Sequence, residues 1–383
     1  MSMAGGWFFL MVLESFTLKD KEFNLPGLGS FLAKAAKDQN FTAIWQGLAV
    51  LIGVIIAIDF LVWRPLIAWA EKFKVEMVEA ESSPQSWVLD TIRRSPALKS
   101  IDLKVWQPLR VTIDSMTVLA PRSKLPVKLA PSHSSQKWVN WLLLAAGSAL
   151  IIWSGNSLLV FLKPLQLSDW QHLFIGTSFT ALRVIVSLAL SLAITVPIGV
   201  TIGRNPKLSR LLQPVVQIAA SVPATALFPL LMLALSQVGG GLEIGSILLM
   251  MLGTMWYILF NTISGAQSIP SDLFEVAQVY KLSRLQRWQT VILPGIFPYL
   301  VTGAITAVGG AWNASIVSEY IKVHDRTLSA TGIGAIIAKA TEDGNFPLLV
   351  AATIMMSAVV VTTNRLVWRP MYRLAEQKYQ LLL

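Results

Sequence analysis

The chain has 383 residues, 54% hydrophobic and 14% charged, with a formal net charge of 31 − 21 = +10. A soluble globular chain carries about 25% charged residues, so this composition and the long uninterrupted apolar runs argue against a soluble domain and against the alternating pattern of a β-barrel. The absence of cysteine removes disulfides and thiol chemistry from consideration.

In chain order, residues 4–16 form a partial apolar span and 42–62 a full one. The stretch 3–13 lacks the basic n-region and small-residue cleavage site of a signal peptide. Residues 71–137 hold Arg93-Arg94, several prolines and Ser132-His133-Ser134-Ser135, too polar for lipid. They read as a cytoplasmic linker with one short helix at 86–94. Six spans follow, at about 138–153, 174–202, 211–235, 244–263, 299–320 and 346–366. Pro197, Pro223 and Pro229 lie inside spans, where bundle neighbours can satisfy the freed carbonyls.

Basic residues set an orientation. Arg204, Lys207 and Arg210 follow the second of the six spans, Lys281, Arg284 and Arg287 the fourth, and Arg369, Arg373 and Lys378 the last. Two spans separate each cluster from the next, so all three share one side, the cytoplasmic one, which also holds the C-terminus. Lys322 and Arg326 lie opposite. This distribution accounts for the positive charge without nucleic acid. His133, His172 and His324 are far apart, read as solvent-facing or interface residues, and offer no metal-ligand spacing. No GxxxxGK[ST] phosphate loop occurs, and no paired-carboxylate or Ser-His-Asp arrangement is visible.

Polar residues inside the spans are the candidates for a pathway or gate. Arg183 in the second span reads either as a contact for an anionic substrate or as an arginine snorkelling to the headgroups. Ser221 and Thr225 flank Pro223, and Trp256, Asn261 and Thr262 lie in the fourth span. Trp312, Asn313, Ser315 and Glu319 lie on the fifth. Such groups either line a polar route or bond helices together.

The tail repeats the head at one fixed offset (312 − 7 = 305). Trp7 matches Trp312, Glu14 matches Glu319, and Gly27 and Gly29 match Gly332 and Gly334. Asn40-Phe41 matches Asn345-Phe346, and Leu61-Val62-Trp63-Arg64-Pro65 matches Leu366-Val367-Trp368-Arg369-Pro370. Shared hydrophobicity does not explain matched Gly, Trp, Asn and Pro. The duplication divides the chain into a partial first repeat (1–70, its last two spans, the first cut short), the linker (71–137) and a complete six-span domain (138–383). The chain reads either as the C-terminal part of a duplicated protein or as a naturally short, complete one.

Between the fourth and fifth spans lies a polar helical hairpin, 271–294. Leu273, Ala277 and Tyr280 stand at i, i+4, i+7, one apolar face suited to a partner's groove. Leu285, Trp288 and Ile292 nearly repeat the spacing, Leu282-Ser283 makes the break, and Pro294 is expected to end the second helix. The run Glu275-Val276-Ala277, Tyr280-Lys281, then Leu293-Pro294 resembles the EAA loop of binding-protein-dependent permeases, the membrane subunits of type I ABC importers. Lys281 stands where that family usually has Gly, which permits a left-handed turn.

The resemblance covers about 138–383 and, through the repeat, 4–73. It is to the nitrate, sulfonate, taurine and bicarbonate branch, in its duplicated anion-transport form. It implies an all-α polytopic fold with a six-helix core, in a bacterial inner membrane. It implies no catalysis and no cofactor in this chain, with ATP and Mg held by a partner ATPase. That ATPase would dock on Glu275, Val276, Ala277, Tyr280, Lys281, Leu285, Trp288, Leu293 and Pro294. A periplasmic or lipid-anchored substrate-binding protein would land near Gly332-Ile333-Gly334, and a second permease half or copy would complete the pathway within membrane lipid. The rival reading is an ATPase-independent carrier or a non-transporting remnant; no acidic or broken-helix ion site of a carrier is evident.

Overall fold

Long helices bounded by Pro, Asn and Gly make up most of the computed structural model, which describes residues 10–18, 21–38, 40–63, 65–66, 135–222, 224–227, 241–323 and 326–379. The chain divides into two compact units, 1–55 with 164–383, and 56–163. In the first unit come α1 (Leu10–Glu14), the hairpin β1 (Ser15–Leu18) and β2 (Lys21–Asn24), α2 (Leu28–Lys37) and the start of α3 (Phe41–Ile58). Helix α3 continues as a π turn, Asp59–Trp63. The second unit holds that turn and α4 (Ser135–Leu162).

The first unit resumes with α5 (Leu167–Arg204), α6 (Pro206–Ser221), a 3-10 turn (Ala224–Leu227), α7 (Gly241–Ser268), α8 (Ser271–Val279) and α9 (Arg284–Arg287). A π turn (Trp288–Ile292) leads into α10 (Leu293–Ser318), then β3 (Tyr320–Val323), β4 (Arg326–Ser329), α11 (Ile333–Asp343) and α12 (Phe346–Thr363). A further π turn (Asn364–Trp368) precedes α13 (Arg369–Lys378). Among the described residues five helices are long and apolar enough to cross a membrane: Phe41–Trp63, Leu167–Arg204, Gly241–Ser268, Arg284–Ser318 and Phe346–Lys378.

The core is α7 packed between α5 and α10. Close approach is built into α5, where Ser187, Ser191, Thr195, Gly199 and Gly203 recur every fourth residue and all are buried. A Cβ at Gly199 would lie 2.8 Å from Thr262, and one at Gly203 would lie 2.6 Å from the Ile263 carbonyl. Small residues at this spacing let two helix backbones meet, which is how helices associate where lipid offers no hydrophobic drive.

Each π turn stands two residues before a proline: Ile292 before Pro294, Trp368 before Pro370, Trp63 before Pro65. The wider turn is closed by Leu293 N–H on the Trp288 carbonyl and Arg369 N–H on the Asn364 carbonyl. A proline lacks the N–H and clashes with the preceding turn, and a π turn relieves both faults without ending the helix. Pro294 therefore does not terminate the second helix of the polar hairpin. It sits in the first turn of α10, and the apolar segment runs on through Arg284–Ser318.

Other expectations are corrected by local chemistry. The third of the six spans, 211–235, is not one continuous helix: α6 ends at Ser221, and Val222, ahead of Pro223, turns extended (φ −70°, ψ 123°) as residues before proline do. Residues 228–240 lie outside the described residues, as do the short helix expected at 86–94 and the linker as far as residue 134. The first of the six, placed at 138–153, falls on α4, whose apolar part among the described residues is Gly147–Leu162. The fifth stops at Ser318, and Tyr320 opens a hairpin not foreseen in the sequence.

The duplication is structural. Every element from Ser15 to Trp63 recurs 305 residues later with the same bounds, except that α11 outlasts α2: β1 and β2 as β3 and β4, α3 as α12, and the π turn Asp59–Trp63 as Asn364–Trp368. Strand registers coincide, with Ser15 opposite Asn24 and Tyr320 opposite Ser329. Leu25 N–H meets the Glu14 carbonyl at 2.8 Å, and Ala330 N–H meets the Glu319 carbonyl at 2.8 Å. Asn40 caps α3 through Ala43 N–H at 3.0 Å, as Asn345 caps α12 through Leu348 N–H at 3.3 Å.

Candidate functional site

Two places combine unusual chemistry with defined geometry, the polar hairpin and a buried ion cluster. In the hairpin, α8 ends in a Schellman turn: Leu282 N–H reaches the Ala277 carbonyl at 3.0 Å, and Lys281 N–H the Gln278 carbonyl at 2.9 Å. That motif needs a left-handed residue, and Lys281 supplies it with φ 49°. The turn that glycine usually makes is thus formed by lysine, at a cost of about 1–2 kcal/mol for a side chain in this region. Ser283 then caps α9 in a reciprocal pair, Gln286 N–H on Ser283 Oγ at 3.3 Å and Ser283 N–H on Gln286 Oε1 at 2.8 Å.

The face expected from Leu273, Ala277 and Tyr280 does not hold together. Leu273 and Phe274 pack with Val200, Ala266, Ile269, Ile292 and Ile296, and Ala277 is buried at 1% exposure. Ala277 therefore belongs to the chain's own packing and is not part of the exposed face. Trp288 also packs partly into this cluster. The exposed apolar crown is Val276, Val279, Tyr280 and Leu285, with Leu293 lower down. Glu275 and Lys281 are exposed beside it, and Pro294 is half-buried. Arg204, Phe274, Arg284, Arg287, Trp288 and Ile292 line an open cleft of about 280 Å³ at the foot of the hairpin. There the Arg204 guanidinium lies over the Phe274 ring.

The second place lies about 32 Å along α5 from Arg204, counting 1.5 Å per residue. Arg183 is 4% exposed and Glu319, at the C-cap of α10, is 0% exposed. Arg183 Nη1 donates to Glu319 Oε1 at 2.8 Å and to the Thr331 carbonyl at 2.9 Å. Thr180 Oγ1 donates to Glu319 Oε1 at 2.7 Å and accepts from Ile333 N–H at 2.9 Å. Glu319 Oε2 accepts from Gly334 N–H at 2.9 Å, in the first turn of α11. Arg183 Nη2 also pairs with Glu243, whose other oxygen accepts from Thr331 N–H at 3.1 Å. Four helices, α5, α7, α10 and α11, are thereby fastened at one point. Arg183 does not snorkel; its charge is shared between the buried Glu319 and Glu243, whose side chain is 55% exposed.

Gly332 and Gly334 have a steric role here. A Cβ at Gly332 would collide with the Glu319 carboxylate, and one at Gly334 with the Ser315 backbone. Nearby, Tyr320 donates to Glu342 at 2.8 Å, and its burial together with that carboxylate pushes the phenol up to about 12.

The remaining candidates are dispersed. Trp312 is buried and Asn313 exposed. Trp256 packs beside Ile202, Leu259 and Ile263, and Asn261 Nδ2 donates to the Tyr257 carbonyl at 2.7 Å. Ser221 ends α6 and Thr225 lies in the 3-10 turn, their side chains outside the description. Thr180, Glu243 and Thr331 escaped the sequence reading. Thr180 stands three residues before Arg183, on the same helix face, and that spacing is the signal that was available.

A sequence model of the family described as binding-protein-dependent transport system inner membrane component matches residues 193–368. The nitrate import permease protein NrtB of Leptolyngbya laminosa is 30% identical over 197 residues, spanning 51% of this chain and 67% of that protein. The bicarbonate transport system permease protein CmpB of Synechococcus elongatus is 28% identical over 197 residues, spanning 51% and 68%. A solved inward-facing structure of the MetNI methionine ABC transporter superposes with a TM-score of 0.45 at 22% identity, covering 55% of this chain and 98% of that one.

Proposed function

The chain belongs to the binding-protein-dependent transport system inner membrane components, the permease subunits of ABC importers, and from that premise we propose how its two sites act. The subunit is non-catalytic, and its cargo is a small anion of the nitrate or bicarbonate kind, a reading supported by its similarity to NrtB and CmpB. The hairpin lies on the cytoplasmic side with the C-terminus, in keeping with the arginines and lysines around it. A partner ATPase, carrying the ATP and Mg, seats the crown of Val276, Val279, Tyr280 and Leu285 in a groove.

The observation that carries this reading is the two-sided hairpin. Its inner face (Leu273, Phe274, Ala277) is anchored in the core with α5 and α10, while its outer face leaves Val279 79% and Tyr280 75% exposed. A push on the crown is transmitted to α5 and α10, which share the distant Arg183–Glu319 fastening. That fastening is the gate on the opposite side, where the external binding protein lands. The ATPase and the loaded binding protein then need only favour different arrangements of these helices.

The test is co-reconstitution with the ATPase and binding protein encoded beside this chain. Val279→Asp with Tyr280→Asp is expected to abolish the complex and cargo-stimulated ATP hydrolysis while leaving the melting temperature unchanged. Ala277→Asp should instead lower the melting temperature. An intact complex in the double variant would sink the docking assignment.

A further inference from the structure

Charge of one sign is gathered at the foot of the polar hairpin. Arg204 closes α5, and Arg284 and Arg287 stand three residues apart on α9. All three line the cleft of about 280 Å³, together with Phe274, Trp288 and Ile292. Like charges at this helical spacing repel one another, and Arg204 brings a third from a separate element. Among the described residues the lining holds no carboxylate; Asp272 and Glu275, the acidic residues of α8, are exposed outside it. A bound anion would relieve the repulsion that the packing of this cleft sets up.

The guanidinium groups are held in place rather than left to wander. Arg204 lies over the Phe274 ring, which covers its face and leaves its N–H edge for a ligand. Arg287 Nε donates to the Leu282 carbonyl at 3.2 Å, which uses one of five donors and keeps the fork of Nη groups beyond that bond. Such forks match the oxygens of a phosphate in pairs. The depth is also defined. Arg204 is the last residue of one membrane-length helix, and Trp288 lies near the start of another, Arg284–Ser318. The cleft therefore falls where two spanning segments leave the apolar layer, the level at which tryptophan is enriched and basic pockets between helices take lipid head groups. Beside it Ile194, Ile198 and Leu293 are 44%, 46% and 41% exposed, an apolar wall for acyl chains.

We infer that this cleft is a binding site for an anionic phosphate group, carried by the head group of a membrane lipid or present as the free ion. Arg284 and Arg287 hold it from the hairpin and Arg204 from the end of α5, so an occupied site ties the hairpin to that helix. The crown of Val276, Val279, Tyr280 and Leu285 does not line the cleft. The inference takes the membrane placement from the chain's family and does not depend on what the crown binds.

The test uses the full chain in detergent with no ATPase present, so its outcome is separate from that of the docking assignment. Its melting temperature is followed while phosphatidylglycerol, phosphatidylcholine with the same acyl chains, or inorganic phosphate against chloride of equal ionic strength is added. A saturable rise is expected with phosphatidylglycerol and not with phosphatidylcholine. If inorganic phosphate gives the same rise, the site takes the free ion; if it gives none, the site takes the lipid. Arg284→Gln with Arg287→Gln should raise the half-saturating concentration by about tenfold or more, because each loses a charge-assisted hydrogen bond. Arg284→Gln alone changes one exposed side chain, should fold normally, and should show part of that effect. Arg210→Gln, an exposed arginine on α6 outside the cleft, should leave it unchanged. No saturable response to either phosphate source, an equal response to phosphatidylcholine, or a response that ignores Arg284 and Arg287 would each overturn the inference.

Discussion

Lys281 and Arg183 are two residues whose surroundings ask for something unusual. Lys281 closes a Schellman turn at φ 49° where glycine carries no Cβ penalty. Lys281→Gly should therefore stabilise the hairpin by up to about 1 kcal/mol, the left-handed penalty less the entropy glycine adds to the unfolded chain. Slower amide exchange at Leu282 in the variant is the readout, and faster exchange would mean that the lysine is not strained. Arg183 is the opposite case, a residue whose removal leaves a charge stranded. With Glu319 at 0% exposure, Arg183→Met should cost roughly 3–5 kcal/mol, because breaking one side of a buried pair is worse than removing both. Adding Glu319→Gln should recover much of the loss in a detergent melt. No recovery would show that the guanidinium stabilises mainly through Thr331 and Glu243 rather than through Glu319.

Elements meet here through glycine more than through large side chains. Gly334 packs on the Ser315 backbone, which cannot rotate away, whereas Gly332 faces the Glu319 carboxylate, which is a side chain. Gly334→Ala is accordingly expected to lower the melting temperature more than Gly332→Ala, and a reversed order would mean that the carboxylate is the more rigid neighbour. The sequence announced these glycines through the repeat, since matched Gly, Trp and Asn at one offset are not interchangeable apolar filler. It also announced the long helices, whose runs are continuous. It did not announce the β3–β4 hairpin, because two four-residue strands leave no periodicity to read beside a long span. It misplaced the end at Pro294, because the usual clash rule presumes an α-helical turn and the chain makes a π turn there. The face of α8 was legible as a spacing, but spacing does not say whether the partner is the chain's own core or another protein, and Ala277 and Tyr280 went opposite ways.

At the scale of the whole molecule, one module appears twice in different company. The modules share strand registers, caps and the carboxylate that seals the first turn of the following helix. What distinguishes them is the load above that carboxylate: α5, α7 and an arginine in the second, and, among the described residues, a half-buried Glu14 near an exposed Phe31 in the first. If local hydrogen bonding alone set the rigidity of the module, the two first turns would open with similar free energies. If rigidity comes from the covering helices, they would not, because an opening that must break a buried ion pair costs more than one that exposes an already half-exposed group. The second account follows from the burial difference. In hydrogen exchange on the isolated chain, the amides of Gly334 and Ala335 should be slower than those of Gly29 and Ser30 by about tenfold or more. The comparison is internal, so detergent, pH and temperature cancel, and only the differing local sequence needs correction. Equal protection would mean that the carboxylate and the glycine turn suffice by themselves, and that the arginine fastening does not set the stability of the module.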